Sequence, residues 1–139
     1  RDAVREGELG EQELDELTHE MKHSRPTRAV EWLKHYFKHV KTVYVMQLLS
    51  GTDVMEGFSA AERVQAYLWK KLGGILQADN EGFSNREGQH ILWQFHGEQS
   101  GEVEAAILND QGVWVPFALD LSNRDHVEAF QKGELPSSN

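Results

Sequence analysis

The chain has 139 residues, and its 14 basic and 23 acidic side chains give a formal net charge of −9; it contains no cysteine. This length suits a single domain, and the absence of cysteine excludes a disulfide scaffold and fits a reducing cytoplasm. The negative charge disfavours nucleic acid as a partner, and no apolar run approaches the roughly 18–20 residues of a membrane span. We therefore expect a cytoplasmic protein that does not associate with membranes.

The charge is distributed in three blocks along the chain. Residues 1–20 carry −6, residues 22–41 carry +5 and residues 42–139 carry −8. Such asymmetry has two interpretations: the acidic segment folds back on the basic one, or the basic segment binds an acidic partner. We favour the first, because surface ion pairs are common and individually weak, at ~0–1 kcal/mol. In the second, the binding residues are Arg25, Arg28, Lys34, Lys38 and Lys41.

Two helices are predicted at the start of the chain. Apolar residues spaced by three and four predict a helix over 10–23, and it is expected to end near Ser24, because Pro26 disfavours helical geometry at the preceding residue. Thr27 is predicted to cap a second helix. The apolar faces are Leu14, Leu17 and Met21 in the first helix, and Val30, Leu33, Phe37 and Val40 in the second.

The next stretch is ambiguous. The β-branched and aromatic residues at 42–49 suit a strand, but the second helix can also continue through them. We favour a strand that is apolar on both faces, as in the centre of a sheet. A helix capped by Ser59 and Glu62 follows, ends at the two glycines at 73–74, and leads to a short strand at 75–78, parallel to 42–49. The predicted buried face of this helix comprises Val64, Leu68, Trp69 and Leu72.

Three strands are predicted in the last third of the chain, at 90–96, 103–109 and 113–121. The glycine-containing segments between them are typical of hairpins, so an antiparallel meander is expected. Pro116 has no amide hydrogen to donate, which marks its strand as a sheet edge or a bulge, and an edge there would be open to strand addition by a partner. The sheet would contain about five strands, a common size.

The fold class is α+β, with N-terminal helices, then a mixed or antiparallel sheet of four to five strands with one crossover helix, and a C-terminal helix. That last helix is predicted to begin after Ser122 or Asn123 and to end by Gly133. The first residue is Arg1 rather than Met, which indicates a fragment or a processed product. The expected organisation is an acidic helical arm at 1–24, a single domain at 25–135 and a tail at 136–139.

Two histidine pairs have metal-ligand spacing. Residues 19–23 read H-E-M-K-H, the string in which two histidines of a zinc protease share a helix face and a glutamate acts as base. Here His19 and His23 project opposite the apolar stripe, so we expect solvent-facing side chains without a zinc site. His35 and His39 repeat the spacing on the second helix, where surface chelation of a transition metal is the alternative to an exposed polar face.

Acidic residues follow the two strands that are predicted to be parallel. The carboxyl ends of parallel strands share one sheet edge, where ligands tend to bind. Oxygen ligands there would suit Mg²⁺ or Ca²⁺ and support a metal-assisted hydrolase that uses Asp53, Asp79 and Glu81. The alternative is that these are ordinary turn residues, which we favour, so that no cofactor is expected.

Trp114 is the candidate aromatic contact. It alternates with the apolar residues of its strand, and it is predicted either to lie under the C-terminal helix, against Val127 and Phe130, or to anchor a partner. With no credible catalytic set, the sequence favours a non-catalytic binding or regulatory module that acts through protein–protein contacts. A second copy of the chain is one candidate partner, and binding of an acidic ligand or nucleic acid through residues 22–41 is a third hypothesis.

Overall fold

The computed structural model describes residues 1–45 and 55–137, and the side chains of these residues apart from 55–62. The first half of the chain contains two short strands and most of the helical residues, whereas the five strands of the main sheet all lie in the second half. The described elements are β1 (Asp2–Ala3), α1 (Leu9–Glu20), α2 (Thr27–Phe37), β2 (Thr42–Val43), α3 (Met55–Leu72), β3 (Leu76–Ala78), β4 (Gly82–Ser84), β5 (His90–Trp93), β6 (Glu102–Leu108), β7 (Trp114–Asp120) and α4 (Arg124–Gln131).

The main sheet has five strands in the order β3-β4-β5-β6-β7. The β6–β7 hairpin is regular, from Glu102 opposite Asp120 to Leu108 opposite Trp114, and β7 forms one edge as predicted from its proline. The sheet is mixed, because β5 and β6 run parallel while the other neighbouring pairs are antiparallel. The predicted α+β class, with a mixed or antiparallel sheet of four to five strands, is therefore confirmed, but the parallel pair is not the one that was predicted.

The predicted hairpin between β5 and β6 is wrong. Beyond β5 the main chain continues in the direction of the strand, because the Gln94 amide donates a hydrogen bond to the Glu81 carbonyl at 2.9 Å. It then crosses over to begin β6, and the Leu121 amide donates to the Gly101 carbonyl at 2.8 Å. The glycines of this segment permit a turn, but they do not determine which strand pairs with which.

A second, two-stranded sheet joins β1 and β2. Asp2 lies opposite Val43 and Ala3 opposite Thr42, in antiparallel register. The prediction that the strand beginning at residue 42 runs parallel to the strand at 75–78 is therefore wrong for the described residues, since β3 pairs with β4. Tyr44 is 47% exposed rather than central in a sheet. The remainder of that predicted strand, 46–49, lies outside the described residues.

The first two helices form where the apolar spacing predicts them, but α1 ends at Glu20, earlier than the predicted end near Ser24. The predicted cap at Thr27 is wrong, because Pro26 occupies the N-cap position and no side chain caps the helix. Leu14 and Met21 of the acidic segment are buried in the same cluster as Leu33 of α2. The segment 1–24 therefore contributes directly to the main core.

The two faces of the main sheet are covered by different helices. On one face, Phe83, Leu92 and Ala106 are buried in the cluster that α1 and α2 complete. On the other, α4 places Phe130 against Leu119 with no side-chain exposure. This helix begins as predicted.

Its cap is the side chain of Asn123, which accepts hydrogen bonds from the amides of Asp125 and His126 at 3.1 and 3.3 Å. These bonds satisfy two of the amide groups that a helix start otherwise leaves unpaired.

Helix α3 begins earlier than predicted and is more exposed. It starts at Met55, so Ser59 lies inside the helix rather than at its cap. The predicted buried face is wrong for Val64 and Leu72, each of which is 52% exposed. The helix ends as predicted, at Gly73 and its neighbour, which have positive φ. No helix in the described ranges is both long and apolar enough to cross a membrane.

Candidate binding groove

The candidate binding residues of α2 lie on different sides of the helix, because a helix turns once every 3.6 residues. Its buried side faces the core through Val30 and Leu33. Lys34 lies on the flank that faces α1, whereas Trp32 lies on the flank that faces β7. The basic and aromatic residues predicted to bind are thus divided between two surfaces.

A groove of about 670 Å³ runs between α1 and the C-terminal end of α2. We call it the α1–α2 groove. Its apolar lining comes from Val4, which follows β1, and from both helices and the turn after α2. The lining residues are Val4, Glu11, Leu14, Asp15, Thr18, Lys34, Phe37, Lys38, His39, Val40 and Lys41.

The two walls of the α1–α2 groove carry opposite charges. Glu11 and Asp15 lie on the α1 wall, whereas Lys38 and Lys41 lie on the other and are exposed. The acidic segment does fold beside the basic one, yet no ion pair joins the two walls within the described part of the chain. Lys34 pairs instead with Glu31 of its own helix, because its Nζ lies 3.4 Å from Glu31 Oε1. The groove therefore presents lysine ammonium groups beside apolar surface.

The two predicted arginines lie elsewhere. Arg28 Nη1 donates to the Leu108 carbonyl at 3.0 Å, and its Nη2 lies 3.0 Å from Asp110 Oδ1. Arg25 Nη1 donates to the Thr27 hydroxyl. Both are bonded to their own chain near the start of α2, and neither lines the groove.

Trp114 does not lie under the C-terminal helix, so that expectation is wrong. Its ring meets the edge of Trp32 with centroids 5.2 Å apart, and Trp32 stacks on Tyr36 at 5.2 Å. The reason is strand alternation: Phe117 faces Phe130 of α4, so Trp114 faces α2. The stacking of Trp32 on Tyr36 was not predicted, although their four-residue spacing in the sequence places them on one face of α2.

Two of the three acidic loop residues lie in one exposed turn. Asp79 and Glu81 are exposed in the turn between β3 and β4, and Gln77 Nε2 donates to Asp79 Oδ1 at 3.1 Å. Asp53 lies outside the described residues. The described strands do not form the shared edge that motivated this metal site, because β2 pairs with β1, whereas β3 pairs with β4 in the other sheet. In the ranges described, no three His, Asp or Glu side chains are grouped to hold a metal ion.

The two histidine pairs differ. Helix α1 ends at Glu20, so His23 lies beyond it, and the structure shows no ring contact between His19 and His23. His35 and His39 have ring centroids 5.3 Å apart, and both are exposed.

One buried titratable group was not predicted. His90 is 8% exposed, and its ring lies 5.2 Å from that of Phe95 and 5.8 Å from that of Phe130. Its Nε2 atom is buried without a hydrogen-bond partner among the described groups. Burial lowers the pKa of His90 to about 4, so the imidazole is neutral at pH 7. It acts as a core residue.

The chain matches no protein-family model, no curated protein and no solved structure. The function is therefore inferred from the geometry of the α1–α2 groove.

Proposed function

We propose that this protein is a non-catalytic binding module that takes an acidic, partly apolar segment of a partner protein into the α1–α2 groove. The observation that carries the proposal is the position of Lys38 and Lys41 beside the partly exposed apolar side chains of Val4 and Val40. The groove volume falls within the roughly 300–1,000 Å³ of typical ligand pockets. Its mixed lining suits a ligand that has both carboxylates and apolar side chains.

Apolar contact and the lysine charges are both expected to contribute to affinity. Exposed ion pairs contribute ~0–1 kcal/mol each, and apolar burial contributes roughly 25 cal/mol per Å², but Leu14 and Phe37 are already buried and leave little apolar surface for a ligand. The lysines would therefore add to the affinity, select the ligand and speed its approach. Repulsion from Glu11 and Asp15 would keep the ligand's carboxylates on the opposite wall, which would fix its orientation.

The net charge of −9 supports a protein segment rather than nucleic acid, whose backbone is a continuous polyanion. The absence of cysteine supports a cytoplasmic location. A second copy of the chain is also a candidate, because α1 exposes acidic side chains, such as Glu16 and Glu20, that the lysines of another molecule could bind.

The test is a binding titration with a labelled peptide of alternating glutamate and leucine, followed by fluorescence anisotropy. The double variant Lys38→Glu/Lys41→Glu should weaken binding at least about tenfold, a change of about 1.4 kcal/mol. The matched control is Lys22→Glu/Lys132→Glu, which makes the same change of charge at two exposed lysines outside the groove.

Equal loss of binding in the two double variants would contradict the proposal, as would equal binding of a lysine–leucine peptide. Sedimentation of the unliganded protein tests whether a second copy of the chain occupies the groove. A dimer that dissociates in Lys38→Glu/Lys41→Glu, but not in the control, would identify the second copy as the occupant.

A further inference from the structure

The exposed histidines at the end of α2 form a pair with the geometry of metal ligands. His35 lies in the last turn of the helix. The turn continues beyond Phe37, because the His39 amide donates to the Tyr36 carbonyl at 3.0 Å. The two imidazoles thereby come to a centroid separation of 5.3 Å, with an interplanar angle of 69°.

This separation can be compared with what one shared ion requires. A zinc–nitrogen bond of about 2.0–2.1 Å places an imidazole centroid about 3.1 Å from the metal. Two such rings at a tetrahedral angle have centroids about 5 Å apart, and at a right angle about 4.5 Å. The observed 5.3 Å is close to the tetrahedral value, and exposed side chains can make the small adjustment.

We propose that His35 and His39 bind one divalent transition-metal ion, with solvent in the remaining coordination positions. Imidazole nitrogens suit Cu²⁺, Ni²⁺ and Zn²⁺, and affinity for a given set of ligands is highest for Cu²⁺. The site has two protein ligands, so it differs from the closed four-ligand sites that stabilise small zinc domains.

The neighbouring charges set the strength of the site. Lys38 lies between the two histidines in sequence, and its positive charge opposes a cation. Lys34 is partly neutralised by Glu31. The site should therefore favour the ion that binds imidazole most strongly, which makes Cu²⁺ the appropriate probe.

The chain offers a matched comparison in His19 and His23. They have the same spacing and are also exposed, but α1 ends before His23 and their rings are not in contact. If spacing alone determined binding, both pairs would bind equally. If the ordered turn after α2 matters, only His35 and His39 should bind tightly.

The experiment titrates the full chain with CuCl₂, using calorimetry for affinity and electron paramagnetic resonance for nitrogen coordination. The tightest site should take about one equivalent of Cu²⁺ with two nitrogen ligands. His35→Gln and His39→Gln should each weaken it by at least the roughly 10- to 100-fold that loss of an outer-shell partner costs. The control, His19→Gln/His23→Gln, should leave it unchanged.

Full Cu²⁺ affinity in His35→Gln or His39→Gln would overturn the proposal, as would loss of the tight site in the control. Thermal unfolding without metal checks that each variant folds, which is expected because both side chains are exposed. The two single variants are alternative tests, since loss of either ligand removes the pair.

Discussion

The buried imidazole of His90 should make the protein lose stability in mild acid. Its pKa in the folded chain is about 4, whereas an unperturbed histidine has a value of 6.5. Between these two values the unfolded chain binds a proton that the folded chain does not, so stability falls as the pH is lowered through this window.

The size of the effect follows from the shift. Lowering the pKa from 6.5 to about 4 corresponds to about 3 kcal/mol, most of which is lost between pH 7.5 and pH 4.5. This is a large part of the roughly 5–15 kcal/mol that stabilises a typical domain. The physical cause is the aromatic surroundings of His90, which offer its Nε2 atom no hydrogen-bond partner within the described residues.

The assay is urea unfolding of the wild type and of His90→Leu, a replacement of similar volume that cannot titrate, at pH 7.5 and pH 4.5. The comparison isolates His90 from other groups, such as Glu13, whose pKa is raised by burial and then by Asp2 and which therefore acts in the opposite direction. The wild type should lose about 2–3 kcal/mol more than His90→Leu over this range. Equal losses in the two proteins would refute the assignment of this acid sensitivity to His90.

Three substitutions test local features of the fold by urea unfolding. Gly82→Ala should destabilise the protein by more than the roughly 1–3 kcal/mol of ordinary overpacking, because an added Cβ would lie 1.8 Å from the Leu92 carbonyl oxygen. The control is Gly112→Ala, because Gly112 also has a positive φ but has no atom near the position of an added Cβ. This control should cost only about 1–2 kcal/mol. Equal losses would contradict this close approach of β4 and β5. Asn123→Ala should cost about 1 kcal/mol through loss of the α4 cap, and an unchanged midpoint would show that the cap does not contribute.

The parts of the fold that were predicted correctly depend on local signals. The apolar spacing of Leu14 and Met21 predicts α1, and Asn123 predicts the start of α4, because each acts within a few residues of itself. The parallel pairing of His90 with Ala105 depends on which distant strand is adjacent, and the glycines in the connecting segment carry no information about that.

The candidate site was likewise predictable only where local sequence signals determine it. The lysines at 34, 38 and 41 could be proposed as ligand-binding residues from the charge of their segment. Their separation from Arg28 and Trp114 could not, because it depends on α1 covering one flank of α2 and β7 covering the other. The burial of His90 depends likewise on Phe130, which is 40 residues away in the sequence.

The most direct test of the proposed function is to locate the bound peptide. Amide chemical shifts of the isotope-labelled protein would be followed while the glutamate–leucine peptide is added. We predict saturable shifts confined to the lining of the α1–α2 groove, from Glu11 to Thr18 and from Lys34 to Lys41, that weaken as salt is raised. Saturable shifts centred on Trp32 and Trp114, or the absence of any saturable shift, would contradict the proposal.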